Sequence, residues 1–227
     1  MNELWLNLLP LVLAMAITPG RLIALILLLH SKKAVANSLA FTGGMASNML
    51  IEGFAFALIF NLTGAFAVEG SDGPPAIVAI LYVVIGVLML SMAAKQIFHK
   101  EDEDTAPPDW LTKIDTFTPG QSYKLGLTWL FISPKQWVFT LTAVALIFAA
   151  RLDPLVSLLN YLLFILLVMA LFFLIILIYI VLGERAQGFL ERLFSWLKQY
   201  MQTIVLIVFV GFGLYFLVKG ILALAGW

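Results

Sequence analysis

Apolar residues fill this chain in long stretches, and the interruptions are few and regularly spaced. Charge-free runs cover residues 4–20, 34–51, 53–68, 73–94, 136–150, 154–183 and 199–218. A membrane-crossing helix needs about 20 mostly apolar residues, because the hydrocarbon core is about 30 Å thick. The first run continues past Arg21, the second and third join across Glu52, and the fifth extends upstream of Lys135. This pattern predicts six helices, at 3–30, 36–62, 75–97, 125–150, 155–182 and 203–226. Between the last two, residues 184–202 place Phe189, Leu193, Trp196, Leu197 and Tyr200 on one face, with Glu191, Arg192 and Lys198 elsewhere. That predicts an amphipathic helix lying on the membrane surface.

Residues 5–13 followed by Ala14-Met15-Ala16 have the look of a signal-peptide core with a small-residue cleavage site. However, Glu3 stands where such peptides carry basic residues, and the apolar run continues beyond the supposed site. The first helix is therefore expected to stay in the protein.

Charge sets the orientation. Lys32 and Lys33 lie in the first connection, Lys95, Lys100, Lys113 and Lys124 in or beside the third, and Arg185, Arg192 and Lys198 in the fifth. The even-numbered connections and the C-terminus hold only Arg151 and Lys219. Basic loops stay cytoplasmic, so both termini are expected outside a cytoplasmic (inner) membrane.

Composition agrees with this reading and removes the alternatives. The chain of 227 residues is 63% hydrophobic and 11% charged, whereas soluble domains are about 45–50% apolar and about 25% charged. Thirteen basic residues balance thirteen acidic ones, which argues against nucleic-acid partners. With no cysteine and two histidines, thiol chemistry and a histidine-rich metal centre are not expected. No cofactor or enzymatic nucleophile–base pair is visible.

Two stretches carry candidate chemistry. Ile17-Thr18-Pro19-Gly20-Arg21 in the first helix and Ile132-Ser133-Pro134-Lys135 in the fourth both read aliphatic, hydroxyl, proline, then a cation. The acidic run Glu101–Asp104 with Pro107-Pro108 separates them. The chain thus divides into a first repeat (1–98), a cytoplasmic linker (99–123) and a second repeat (124–227). The fold expected is an all-α integral membrane protein of six helices in a 3+3 inverted repeat, with helices one and four broken. Proline removes a backbone donor and clashes with the preceding turn, and irregular backbone survives at membrane depth only inside protein or along a polar cavity. A half-helix starting at such a break points a positive dipole end inward. Arg21 and Lys135 add charge of the same sign, about 14 Å from the cytoplasmic ends. Thr18, Pro19, Gly20, Arg21, Ser133, Pro134 and Lys135 are therefore the expected substrate site, suited to an anionic group.

Glu52 is the only acid in the interior of a predicted span and follows a small, polar stretch that includes Ser47 and Asn48, the expected polar cavity. Two roles are open to it. It is either the counter-ion of Arg21 or Lys135, or a carboxylate that exchanges protons during transport.

These words resemble known proteins. Thr18-Pro19-Gly20-Arg21, Gly43-Gly44 and Ser133-Pro134-Lys135 resemble the lysine-exporter (LysE) superfamily. Asp109-Trp110-Leu111, Ile114-Asp115, Phe117-Thr118-Pro119-Gly120 and Gly126 resemble its GAP branch, the glycopeptidolipid-addressing (Sap-like) proteins. Ser133 and Gln136 stand where members often carry asparagine. The resemblance implies export or flipping of an anionic or amphiphilic molecule, a lipid-linked or glycolipid-like cargo foremost. Amino-acid export of the LysE type is the alternative cargo, and a non-transporting scaffold for envelope lipid synthesis the alternative class. Lipid cargo predicts a lateral opening between helices, and an amino acid predicts a closed aqueous pocket. Expected partners are membrane lipids, the cargo and a second copy of the chain.

Overall fold

A computed structural model describes residues 2–64, 66, 76–98, 116–131 and 134–225. Those residues are helical almost throughout, and no strand occurs among them. The helices are α1 (Asn2–Ala16), α2 (Pro19–Leu29), α3 (Ala34–Thr63), α4 (Ala76–Phe98), α5 (Pro119–Phe131), α6 (Pro134–Ala149), α7 (Pro154–Leu182) and α8 (Ala186–Leu224). A 3₁₀ turn, Gly183–Arg185, joins the last two.

The protein is a multi-pass membrane protein. α3, α4, α7 and the Gln202–Leu224 part of α8 are each long and apolar enough to cross a bilayer. α1 and α2 together make a fifth such unit, bent by 56° at the residues before Pro19. The predicted fourth helix corresponds to α5 and α6, and residues 132–133 between them lie outside the description. The predicted break in the first helix coincides with a helix start at Pro19, and α6 likewise starts at a proline, Pro134. Proline is tolerated at a first helical position because the N–H it lacks has no intrahelical partner there.

Two boundaries differ from expectation. α5 begins at Pro119, not near Leu125, because Thr118 and Gln121 build a capping box. The Thr118 backbone N–H donates to Gln121 Oε1 at 2.8 Å, and the Gln121 N–H points back to Thr118 Oγ1 at 3.4 Å. The second difference concerns the surface helix: residues 186–202 are continuous with the last span in one 39-residue helix. At 1.5 Å per residue that helix is about 58 Å long, well beyond the hydrocarbon thickness. Its helix-forming sequence offers no proline or left-handed glycine at which to bend onto a surface.

Polar side chains tie the helix ends into two layers. In one layer Asn37, at the start of α3, donates to Phe117 O before α5 and to Ser31 Oγ, both at 2.8 Å. In the other, Trp5 Nε1 on α1 donates to Asn160 Oδ1 on α7 at 3.0 Å. Lys219, near the end of α8, donates to Asn7 on α1, and Tyr215 OH does so at 3.0 Å. The chain's first helix and last helix therefore meet at one end of the bundle.

Between these layers the core is apolar, with Leu8, Leu25, Phe41, Phe164, Phe172 and Phe216 fully buried. α3 and α5 run parallel in very close contact. A Cβ on Gly44 would overlap the Tyr123 carbonyl, and one on Gly126 would overlap the Phe41 carbonyl. α4 and α8 pack similarly through Gly86, Gly213 and Gly220. Small residues admit such backbone approach, which drives helix association where lipid supplies no hydrophobic force. Large apolar side chains such as Phe54, Leu62, Val181 and Ile207 point outward, as expected of a lipid-facing surface.

Candidate functional site

The break in the first helix has a defined chemistry. In an uninterrupted helix the Met15 carbonyl would accept from the backbone of residue 19, but Pro19 has no N–H. Two side chains take its place. Arg21 Nη2 donates to Met15 O at 2.6 Å, and Thr18 Oγ1 donates to it at 3.1 Å. Arg21 Nη2 also donates to Thr18 Oγ1 at 2.6 Å. Arg21 therefore caps the carbonyl end of α1, where the helix dipole favours a cation. Its guanidinium is buried, and Nη1 has no hydrogen-bond partner among the described residues. Gly20, beside it, lies under Trp129 of α5, whose ring a Cβ would approach to 3.3 Å.

The buried carboxylate of Glu52 sits at a separate polar centre. Asn48, one turn earlier on α3, donates through Nδ2 to Oε1 at 2.7 Å. Thr140 on α6 donates to Oε2 at 2.9 Å and accepts from Gln136 Nε2 at 3.3 Å. Asn48 Oδ1 is buried without a partner among the described residues. Ser47 lies half-buried on the same helix. One residue on, Gly53 makes room for the ring of Tyr161 from α7, and the Tyr161 hydroxyl donates to the Met49 carbonyl. Three helices thus meet at Glu52, and every hydrogen bond described to its carboxylate comes from a neutral donor.

Beside that centre lies a cavity of about 580 Å³ between α3, α6 and α7. Gly53, Ala57, Val144, Ile147, Phe148 and Tyr161 form its inner wall. Leu50, Phe54 and Leu158 stand at its rim, 42%, 73% and 52% exposed. Asn61 and Ser157 are its polar lining residues apart from the Tyr161 hydroxyl. It is a groove open to the side, among residues that face lipid, and Tyr161 and Gly53 separate it from Glu52.

The structure brings Thr18, Pro19 and Arg21 together at the first break and joins Asn48 to Glu52. It does not pair Glu52 with Arg21, whose described bonds all go to the break. Lys135 and Pro134 begin α6, but their side chains, like Ser133, lie outside the description. None of the expected substrate residues lines the groove. Thr140, Gln136 and Tyr161 were not foreseen as site residues. Gln136 and Thr140 are four apart on an apolar helix, hence on one face, and that spacing was the available signal. Tyr161 had none, since its partner lies 112 residues away.

No curated protein and no solved structure matches this chain. Residues 8–222 match the family described as Sap, sulfolipid-1-addressing protein. That span takes in α2 to α7 entire, and with them the break at Pro19, the Glu52 centre and the groove. The chain belongs to the Sap, sulfolipid-1-addressing protein, family.

Proposed function

We propose that this protein is a secondary-type transporter that exports or flips an amphiphile with an anionic head group across the cytoplasmic membrane. The observation that carries this reading is the groove between α3, α6 and α7. It is apolar, open sideways between lipid-facing residues, and adjoins a buried polar centre. An apolar chain can slide into such a groove from the bilayer without crossing water. An amino-acid cargo calls for an enclosed aqueous pocket, which a laterally open apolar groove does not supply. The family description names a sulfolipid, a cargo of the expected kind. Arg21, whose buried Nη1 has no hydrogen-bond partner among the described residues, and Lys135 are the two cations of the reading, of the sign that an anionic head group requires.

The architecture we propose for this activity is six spans in two inverted halves. α1–α2, α3 and α4 make the first half, and α5–α6, α7 and α8 the second. Each begins with a helix broken at a proline, and contacts of α3 with α5 and of α1 with α7 relate the halves. Alternating access then follows from rocking one half against the other. The grouping of Asn37 with Phe117 and of Asn7 with Lys219 supports this topology, with both termini on one side.

The test is translocation of NBD-labelled sulfatide, a sulfated glycolipid, in proteoliposomes, read by dithionite quenching. Faster movement than in protein-free vesicles is expected. A rate equal to that of empty vesicles contradicts the proposal.

A further inference from the structure

Glu52 presents an imbalance that the structure leaves open. Its carboxylate is buried, at 5% exposure. The hydrogen bonds described to it come from Asn48 and Thr140, both neutral. Among the described residues no cation stands within ion-pair distance. Burying an ionised carboxylate without a counter-charge is costly, and proteins relieve that cost by pairing or by neutralising the group. Thr140 Oγ1, at 2.9 Å, can accept from a protonated Oε2 by turning its own hydrogen away. One added proton removes the uncompensated charge and keeps that contact as a hydrogen bond.

The neighbouring elements offer few competing charges. Packed against α3 are α2 with Arg21, α5 with Tyr123 and Lys124, α6 with Lys135, and α7 with Tyr161 and Tyr179. Arg21 is engaged at the first break, and Tyr123 and Lys124 are exposed. Tyr161 is the group whose ring reaches Gly53, next to Glu52. It lines the groove on its other side. Its hydroxyl holds the carbonyl of Met49, within the same helical turn as Glu52.

We infer that Glu52, with Thr140 and Asn48, is a proton-binding site, and that its proton drives the cargo. The site takes a proton from the acidic side and releases it on the other, while the cargo moves toward the acidic side. Tyr161 transmits the change, because it touches both the turn that carries Glu52 and the groove. The coupling step rests on the transporter reading above; the proton site does not.

Two measurements test it on the full chain. The first is infrared titration of the protein in nanodiscs, comparing wild type with Glu52→Gln. A protonated-carboxyl band that titrates in wild type and is missing from the variant is expected; identical spectra would overturn the proton site. The second is NBD-sulfatide translocation under a gradient of about one pH unit, worth about tenfold per proton moved. Movement toward the acidic side should accelerate several-fold in wild type and lose that dependence in Glu52→Gln. Transport that ignores the gradient, or keeps its response in Glu52→Gln, overturns the coupling while leaving the transporter reading intact. Absence of all transport defeats the transporter reading and the coupling with it, and the infrared result still decides the proton site. Lys135→Gln serves as the control for a hidden counter-ion: an unchanged titration of the band is expected, and a shift of that titration to higher pH overturns the assignment, because removing a counter-cation favours the protonated carboxyl. If Glu52→Gln does not fold, Thr140→Val should alter the pH dependence of the band, and an unaltered one counts against the site.

Discussion

Arg21 and Pro19 are two halves of one device: the arginine satisfies the carbonyl that the proline orphans. Pro19 has no N–H for Met15 O, and Arg21 Nη2 supplies the missing bond at 2.6 Å, shared with Thr18 Oγ1 at 3.1 Å. The break is thus held by side-chain bonds that an uninterrupted helix would not need. Arg21→Leu should lower stability by about 1–3 kcal/mol, the cost of leaving a buried acceptor under-satisfied. Pro19→Ala restores a backbone donor, so the double variant should lose less than the sum of the two single losses. Thermal unfolding in detergent of the four proteins decides this, and strict additivity would separate the two residues.

Adjacent glycines on α3 have opposite surroundings. A Cβ on Gly44 overlaps the backbone of α5, whereas one on Gly43 meets nothing within 4 Å. Gly44→Ala should destabilise by about 1–3 kcal/mol through forced backbone shifts. Gly43→Ala should be neutral or stabilising by up to about 1 kcal/mol, from helix propensity alone. Equal melting temperatures for the two variants would contradict the packing described.

The Tyr161 hydroxyl spans two helices to reach the Met49 carbonyl. Tyr161→Phe should cost about 0.5–1.5 kcal/mol, a modest loss, since hydrogen bonds between membrane helices average about 0.6 kcal/mol. If the hydroxyl is also the link between Glu52 and the groove, this variant should transport with a weakened response to a pH gradient. Proteoliposome assays at matched protein content check both consequences.

Ala57 lines the groove without belonging to either polar centre. Ala57→Phe should obstruct the groove and slow translocation of NBD-sulfatide by about tenfold, equivalent to roughly 1.4 kcal/mol. Leu6→Phe, on an exposed position of α1 away from the groove, is the matching control and should transport as wild type does.

Much of the fold was readable before any coordinates. Hydropathy placed most of the helices within a few residues, and Pro19 marked the break in the first. The sequence was silent where long-range geometry decides. Glu52 was readable as a buried acid, but its partner was not, because hydropathy does not set helix rotation; the rotation brings Thr140 to it from α6. Arg21 was expected to face a ligand or an acid, and its described bonds, both from Nη2, go instead to its own helix break. The local need created by Pro19 was there to be read in Met15-Ala16-Ile17-Thr18-Pro19. The groove was beyond reach for a different reason: its wall is assembled from bland apolar residues on three helices, none distinguishable from a lipid-facing neighbour. The start of α5 was legible, since Thr118-Pro119-Gly120-Gln121 is a capping box with proline at the first helical position, but it lies ahead of the apolar run that hydropathy follows.

The central claim is that an apolar chain of the cargo occupies the groove, and Ile147 tests it most directly. Ile147 lines the groove yet is only 3% exposed, so bulk lipid at the protein surface does not reach it. A photoreactive side chain placed there, irradiated in membranes and analysed by mass spectrometry, should yield an amphiphile adduct. That adduct should disappear when Ala57→Phe fills the groove. Cross-links to protein alone, or lipid adducts that persist in Ala57→Phe, would contradict the account.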